Sequence, residues 1–549
     1  MFKNDRGLAN LNECCVEKIV TLGTKHKKDY ILSNIIPESL SQYHNKRSFW
    51  IHDLEFYDTT YNCIGISAKD LIGDVKIPLS HAIRKLYRGI IRLTNEQSGG
   101  IGFVNFDSDI AYYIANETEA EITEELWQLY NDLNVYVRKG CEKAYITFNF
   151  GLDTTKIGRM ACRSILNAYE NGDDCGRPFI FPNLVFKLKK GININNDDIN
   201  FDIFNKACRV TAKCMIPTYL NCDSTPNKEV EAYKLGVLGC RTRVVDNIFG
   251  EKTTINRGNI ACVTINLVQL AIESNNDIDI FKDKIDTVMD SAKDLLIHRF
   301  NYLCNNANLN YINGKNLFLD SDKNNKDMLK NGTLSIGFIG LWDAIGILLD
   351  KKITKKDILF KYKDLAYNLV LFMNNKIQKY RNDKNLNFSL LASSAEGVCG
   401  EFAKYDKIAY KNSKILLDKD YYTNSFHVPV DLNFSCFEKI ISEAPFHSLC
   451  TGGSITYIEL KEVPINNIEA VKEIIEFARN EGCNYFGLNF PLDYCCKCGY
   501  KGIIKDSCDL CKSEDIFRIR RVSGYLATID KFTQGKYAEL KNRIAHISK

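Results

Sequence analysis

The chain has 549 residues, 45% hydrophobic and 26% charged, proportions typical of a globular protein and a length beyond one ordinary core. Lys+Arg 72 against Asp+Glu 68 leaves a net charge of +4, which argues against a polyanion groove or a membrane surface, so direct nucleic-acid binding is not expected. The N-terminus has no apolar h-region, no segment reaches the about 18 apolar residues of a membrane span, and the 21 cysteines carry no small-domain disulfide pattern, which points to a cytoplasmic protein with mostly free thiols.

In chain order, Leu8 to Leu22 is predicted helical, and Ser48 to Tyr57 reads as a strand or turn leading to Asn62-Cys63. Within it His52 and Asp53 are either a structural hydrogen-bonded pair or a ligand or acid/base pair. Gln97-Ser98-Gly99-Gly100 reads as a loop and Phe103 to Phe106 as a short strand. Between Ala115 and Lys143, Ile122, Leu126, Leu129, Tyr130, Leu133 and Val137 recur at helical spacing and predict a long packed helix. A helix through Met160 to Tyr169 precedes Leu184 to Leu188, apolar enough for a barrel strand. This alternation predicts parallel βα units.

Residues 221–258, rich in glycine and charge, read as a long loop, which inside a compact domain is functional or disordered. The loop holds Gly239-Cys240-Arg241-Thr242-Arg243, whose arginines would depress the thiol pKa; on its own this is also what a loop thiol with solvated arginines looks like. The strand Val263 to Leu267 follows, then helices Asp277 to Asn305 and Lys355 to Arg381 with the apolar strand Gly332 to Leu341 between them. Glu396, in Ser393-Ser394-Ala395-Glu396-Gly397, is a helix-start residue or a catalyst. Thr451-Gly452-Gly453-Ser454 could line a phosphate.

Near the end stand two CxxC pairs nine residues apart, Cys495 with Cys498 and Cys508 with Cys511. Four soft ligands on two knuckles are what a tetrahedral thiolate zinc site requires, and zinc closed by four protein ligands has no open position, so the site is expected to be structural. Cys496 would need a shortened CxC knuckle and is taken as a bystander. The segment Arg520-Arg521-Val522-Ser523-Gly524-Tyr525-Leu526 follows, in which a glycine between polar residues would by itself be a turn residue.

Taken together, these segments resemble the anaerobic (class III) ribonucleoside-triphosphate reductases, a glycyl radical family. The resemblance rests on Trp50 to Leu54 (the family's HxHDL, with Trp50 at the first His), Asn62-Cys63, Gln97 to Gly100, and Gly239 to Arg243 followed by Arg257-Gly258-Asn259 and Thr264-Ile265-Asn266. It continues through Ser394 to Gly397 (PAEG, with Ser394 for proline), the zinc cysteines, Gly524 and the tail to Arg543. It implies an α/β fold, a ten-stranded α/β barrel of two antiparallel five-stranded parallel halves, over residues 1–480 with a central finger loop at about 221–258. A zinc domain at 481–513 and a glycyl radical loop with C-terminal helix at 514–549 would complete the chain.

The resemblance also implies roles: Gly524 as glycyl radical, Cys240 as thiyl radical, Cys63 as reducing thiol, Asn266 on the ribose hydroxyls, and Glu396 in the active site. It implies a radical-SAM iron-sulfur activating enzyme as partner, formate or a dithiol protein as reductant, ribonucleoside triphosphates as substrates, dNTP/ATP as allosteric effectors, and a homodimer. The stretch before His52 is too short for the N-terminal regulatory cone of many members, so switching by dATP is not expected from it. Two other readings stay open. One is another glycyl radical enzyme such as a pyruvate formate-lyase relative, not expected to carry zinc knuckles; the other is a zinc-ribbon nucleic-acid-binding protein, which the near-neutral charge disfavours.

Overall fold

The structure is a computed structural model that describes residues 15–135, 143–306, 325–395, 397–411 and 419–546. After the short strand β1 (Phe49–Ile51) come β2 (Cys63–Ile66), β3 (Gly100–Phe103), β4 (Tyr145–Phe150), β5 (Asn183–Leu188) and β6 (Thr218–Asn221). Strands β2 to β6 pair in sequence order, all parallel. The second half consists of β7 (Arg257–Asn266), β8 (Thr333–Ile339), β9 (Phe388–Ala392), β10 (Thr456–Glu459) and β11 (Tyr485–Asn489). Parallel ladders join β7 to β8 to β9 and β10 to β11, and a parallel bridge between Leu391 and Gly453 carries β9 onto the β10 segment. There Ala392 N donates to Gly453 O (3.0 Å) and Gly452 N to Leu390 O (2.7 Å).

The halves meet antiparallel along β2–β7 and β6–β11, closing the expected ten-stranded barrel, while β1 adds an eleventh strand antiparallel to the far end of β7. Strands β2 to β9 are buried along their whole length, as parallel strands must be when helices cover one face and something fills the other. The outer cover includes the helix Glu119–Leu133, which starts at a Thr118/Glu121 capping box and buries Ile122, Leu126, Leu129, Tyr130 and Leu133; residues 136–142, at the end of the expected helix, lie outside the described residues.

Two strand boundaries differ from the sequence expectation for one reason, the lumen. Strand β3 covers Gly100 to Phe103, and a helix already begins at Phe106. Glycine is a poor strand former, so the pattern hides this strand. A Cβ on Gly102 would come within 2.7 Å of Leu238 and of the Val237 carbonyl, and one on Gly100 would collide with Gly239, so these strands are bare where the finger lies against them. Strand β7 begins at Arg257, not Val263: the Arg257 guanidinium is fully buried and donates to the carbonyls of Asn331 (2.8 Å), Val245 (2.7 Å) and Thr253 (3.1 Å). Within the described residues the first helix covers Cys15–Tyr30, extending past the expected end at Leu22; residues 8–14 of the expected helix lie outside the described residues. The stretch expected as one helix from Lys355 divides into a π turn, Asp357–Lys361, and the helix Lys363–Lys384.

A second, antiparallel sheet has the order β13 (Lys501–Gly502), β12 (Leu492–Cys495), β14 (Ile516–Arg520), β15 (Ala527–Thr528). The expected boundary after residue 480 falls before β11, which is a barrel strand, and the boundary at 513/514 separates strands of one sheet. Because Ile519 pairs with Thr528 and Arg520 with Ala527, residues 521–526 are the loop of a hairpin. The cysteine-bearing sheet is therefore the handle from which Gly524 is presented.

Candidate active site

Since the halves run antiparallel, β6 ends and β7 begins at the same rim, and residues 222–256 descend into the lumen and return. Their tip is a tight reversal: Leu238 and Thr242 form an antiparallel bridge (Leu238 N to Thr242 O, 2.9 Å), and Gly239 takes φ +65°, a left-handed conformation that glycine adopts without cost. Half-buried Cys240 stands at this turn. Asn149 of β4 grips one arm reciprocally, accepting from Val237 N (2.8 Å) and donating to Val237 O (3.1 Å), while the Thr147 hydroxyl donates to Gly239 O (3.0 Å). On the other arm Arg243 N donates to Gly452 O (2.9 Å). Thr451 to Ser454 thus close the barrel and brace the finger, and a Cβ on Gly453 would collide with the Arg241 carbonyl; the phosphate reading of these glycines does not hold.

The hairpin loop 521–526 enters from the other side. It has no secondary structure of its own, and side chains from elsewhere take four consecutive carbonyls. Asn489 Nδ2 donates to Arg521 O (3.2 Å), Arg543 Nη2 to Val522 O (2.9 Å), Arg241 Nη2 to Ser523 O, and the Tyr457 hydroxyl to Gly524 O (3.0 Å). Gly524 itself is buried. Tyr525 stacks on Tyr145 (5.1 Å between centroids), and its hydroxyl stands 2.7 Å from where a Cβ on Gly239 would project. The neighbours of Gly524 therefore touch the neighbours of Cys240 on both flanks, Ser523 with Arg241 and Tyr525 with Gly239.

A cavity of about 460 Å³ opens beside this junction, lined among others by Cys63, Cys240, Tyr525, Asn259 and Cys262. Cys63, at the start of β2, accepts from Gly100 N (3.2 Å) and donates to Asn62 Oδ1 (2.7 Å); a Cβ on Gly99 would stand 2.7 Å from its sulfur. Burial pushes the Cys63 thiol up to about 12, so it remains protonated at neutral pH. His52 and Asp53 also line the cavity with separate partners. His52 Nε2 bonds the Thr264 hydroxyl (2.7 Å), and Asp53, at φ +50°, accepts from Asn62 Nδ2 (2.5 Å) and Ser98 Oγ (2.9 Å).

Asn266 does not reach this cavity. It caps the helix Leu267–Glu273 through Gln269 N (3.2 Å) and donates to buried Asp406 (2.9 Å), whose pKa burial raises to about 6. Asparagines that do line the cavity are Asn45, Asn62 and Asn259, and Asn259 pairs with Cys63 across the β2–β7 seam. Sequence reasoning missed it because cross-strand register is not written in either strand alone; its place in Arg257-Gly258-Asn259 was the available signal. Cys262, also on the cavity wall and with its pKa raised by burial, was missed among 21 cysteines. Glu396 lies outside the described residues, although Ser394 and Gly397 on either side line the cavity.

The four zinc-motif cysteines converge as expected. All their sulfurs lie within 4.8 Å of one another, with Cys495–Cys511 and Cys498–Cys508 at 3.5 Å. A tetrahedral Zn–S₄ centre needs sulfurs about 3.8 Å apart, so the set fits zinc with side-chain shifts of no more than about 1 Å. Cys496 is exposed and outside the set. Because Cys495 ends β12 and the cluster holds the handle of the Gly524 hairpin, Cys508→Ala is expected to lower bound zinc from about one per chain severalfold. The same variant should speed proteolysis of the tail; metal analysis with limited digestion checks both, and full occupancy would refute the assignment.

A family model described as anaerobic ribonucleoside-triphosphate reductase matches residues 9–546. The chain is 26% identical over 577 aligned positions to the anaerobic ribonucleoside-triphosphate reductase of Enterobacteria phage T4, covering 94% of this chain and 93% of that protein. It is 27% identical to the Salmonella typhimurium enzyme of the same name, covering 95% and 80%. In fold it is similar to the anaerobic ribonucleotide reductase of Thermotoga maritima in complex with dATP and CTP, at TM-score 0.72 and 16% identity over 95% of this chain and 91% of that one. With the matched family model spanning both the barrel and the cysteine-bearing tail, the chain belongs to the anaerobic ribonucleoside-triphosphate reductases, the class III ribonucleotide reductases.

Proposed function

We propose that Gly524, Cys240 and Cys63 divide the reduction of a ribonucleoside triphosphate among them. In this reading a radical-SAM iron-sulfur partner removes a hydrogen atom from Gly524, and Cys240 then surrenders its S–H hydrogen to the glycyl radical. The resulting thiyl takes the ribose 3′-hydrogen, the 2′-hydroxyl accepts a proton and leaves as water, and Cys63 gives its S–H hydrogen to the substrate radical. Formate or a dithiol protein, oxidised by two electrons overall, restores Cys63 and completes the reduction, and the 3′-hydrogen returns from Cys240, which is left a thiyl again. The observation that carries this is the double contact flanking Gly524 and Cys240.

Burial suits each assignment. A Cys63 held as the neutral thiol is a hydrogen-atom donor and a poor nucleophile, and a buried Gly524 is shielded from solvent. Asn259 takes the ribose-facing role that the sequence resemblance gave to Asn266, and Glu396 keeps its proposed place in the site. Lys25, Lys28 and Arg47, on the cavity lining, supply cationic partners for the triphosphate. A Thermotoga maritima relative in complex with dATP and CTP supports nucleotides as both effectors and substrates, and a homodimer is the expected assembly.

The test is anaerobic activation with the partner enzyme, followed by electron-spin spectroscopy and assay of deoxynucleotide formation. A doublet that collapses in the Gly524→Ala chain, together with deoxynucleoside triphosphate product, is the expected result. Activation that yields turnover without any radical at residue 524 would overturn the assignment.

A further inference from the structure

After the helix Gln534–Asn542 the chain runs back along the barrel as a strap. Ile544 N donates to Val430 O (2.9 Å), His546 N to Glu459 O (2.7 Å), and Glu459 N to His546 Nδ1 (2.9 Å). The first strap residue, Arg543, turns inward with its side chain 10% exposed. Two carboxylates hold its guanidinium, Glu539 (2.5 Å) from the helix and Glu459 from β10. The same two Nη nitrogens also serve the hairpin loop, reaching Val522 O (2.9 Å) and Arg521 O (3.4 Å). Both terminal nitrogens of the planar fork are thus committed, each to one carboxylate anchor and one main-chain oxygen two or three residues before Gly524.

We propose that Arg543 is a positioning residue for the reaction: it fixes the near side of the loop so that Arg241 and Tyr457, gripping the Ser523 and Gly524 carbonyls, present the Gly524 Cα to Cys240. The proposal rests on the radical reading of Gly524. Its physical basis is that the loop has no ladder of its own, so each carbonyl depends on the side chain that binds it. Withdrawing Arg543 leaves the buried Val522 carbonyl without that donor and lets the loop relax, and hydrogen-atom transfer is acutely sensitive to donor-acceptor distance. The strap belongs to the active-site machinery although neither it nor Arg543 lines the main cavity.

The test separates radical content from turnover. Arg543→Gln and Arg543→Lys chains are activated anaerobically, glycyl radical per chain is measured by electron-spin spectroscopy, and deoxynucleotide formation is expressed per radical. The expected result is radical content within about twofold of the parent with turnover per radical reduced about tenfold or more in the Gln variant, and less in the Lys variant, which keeps the charge. Unchanged turnover per radical, with only a lowered melting temperature, would overturn the proposal and leave Arg543 a structural tie. If the parent chain forms no radical, the reading of Gly524 fails and this inference with it, a result distinguishable from the first. Should Arg543→Gln not fold, Glu539→Gln withdraws one anchor and keeps the guanidinium; a severalfold fall in turnover per radical is then expected, and no fall would be decisive against the proposal.

Discussion

Cys240→Ser is expected to abolish deoxynucleotide formation, a loss on the order of 10⁴-fold or more, while the radical at Gly524 still forms on activation. The two halves of this expectation have separate causes. On the proposed reading, formation of the radical needs only Gly524 and the activating partner, and serine is nearly isosteric, so the finger tip with its Leu238–Thr242 bridge and left-handed Gly239 is retained. Transfer fails because the serine O–H bond is far stronger than the thiol S–H bond and a glycyl radical cannot break it. Single-turnover assay against spin concentration checks both halves. Product formation at more than a few per cent of the parent rate would remove Cys240 from the pathway. Cys63→Ser should also stop reduction, but at a later step.

The second large effect concerns air. A carbon-centred main-chain radical combines with O₂, and the peroxyl decays by cutting the chain at that residue, so activated protein exposed to air should lose the segment from about Tyr525 to the C-terminus. Unactivated protein should survive as full-length chain, because thiols oxidise without backbone cleavage. If one chain per dimer is activated, half or fewer of the subunits are cut, so the readout is a defined shortened species in intact-mass measurement, absent in Gly524→Ala. The loss would also remove Arg543 and the strap, making the damage irreversible. No shortened species from a sample with a measured radical would place that radical elsewhere.

Much of this was legible from the chain because the informative signals were local. The zinc ligands sit at fixed short spacings, so Cys495, Cys498, Cys508 and Cys511 were assigned without knowledge of the fold, and the structure brings them together. The finger loop and the loop bearing Gly524 were legible through their resemblance to family motifs, whereas the hairpin pairing that frames Gly524 was not. What stayed hidden depends on register and on side chains meeting main chain. Asn266 looked right because it closes a strand motif, yet it faces Asp406, and the residue beside Cys63 is Asn259, a pairing across residues far apart in sequence. Strand β3 was misplaced because its glycines are chosen to make room for the finger, which no strand propensity encodes. The grip on carbonyls 521 to 524 comes from four separate segments, so no single segment reveals it.

The return of β7 to the rim where β6 ends gives the finger an unusual freedom. Those two strands stand across the ring from each other, β6 between β5 and β11 and β7 between β2 and β8, so residues 222–256 span the mouth of the barrel and still have length to spare for the descent. They behave as a plunger whose stroke is set by the length of its two arms: where the arms run extended, each residue added to both would lower the tip by roughly 3 Å. The depth of the Cys240 thiol can therefore change while the pairings that join the two halves, β2 with β7 and β6 with β11, stay as they are.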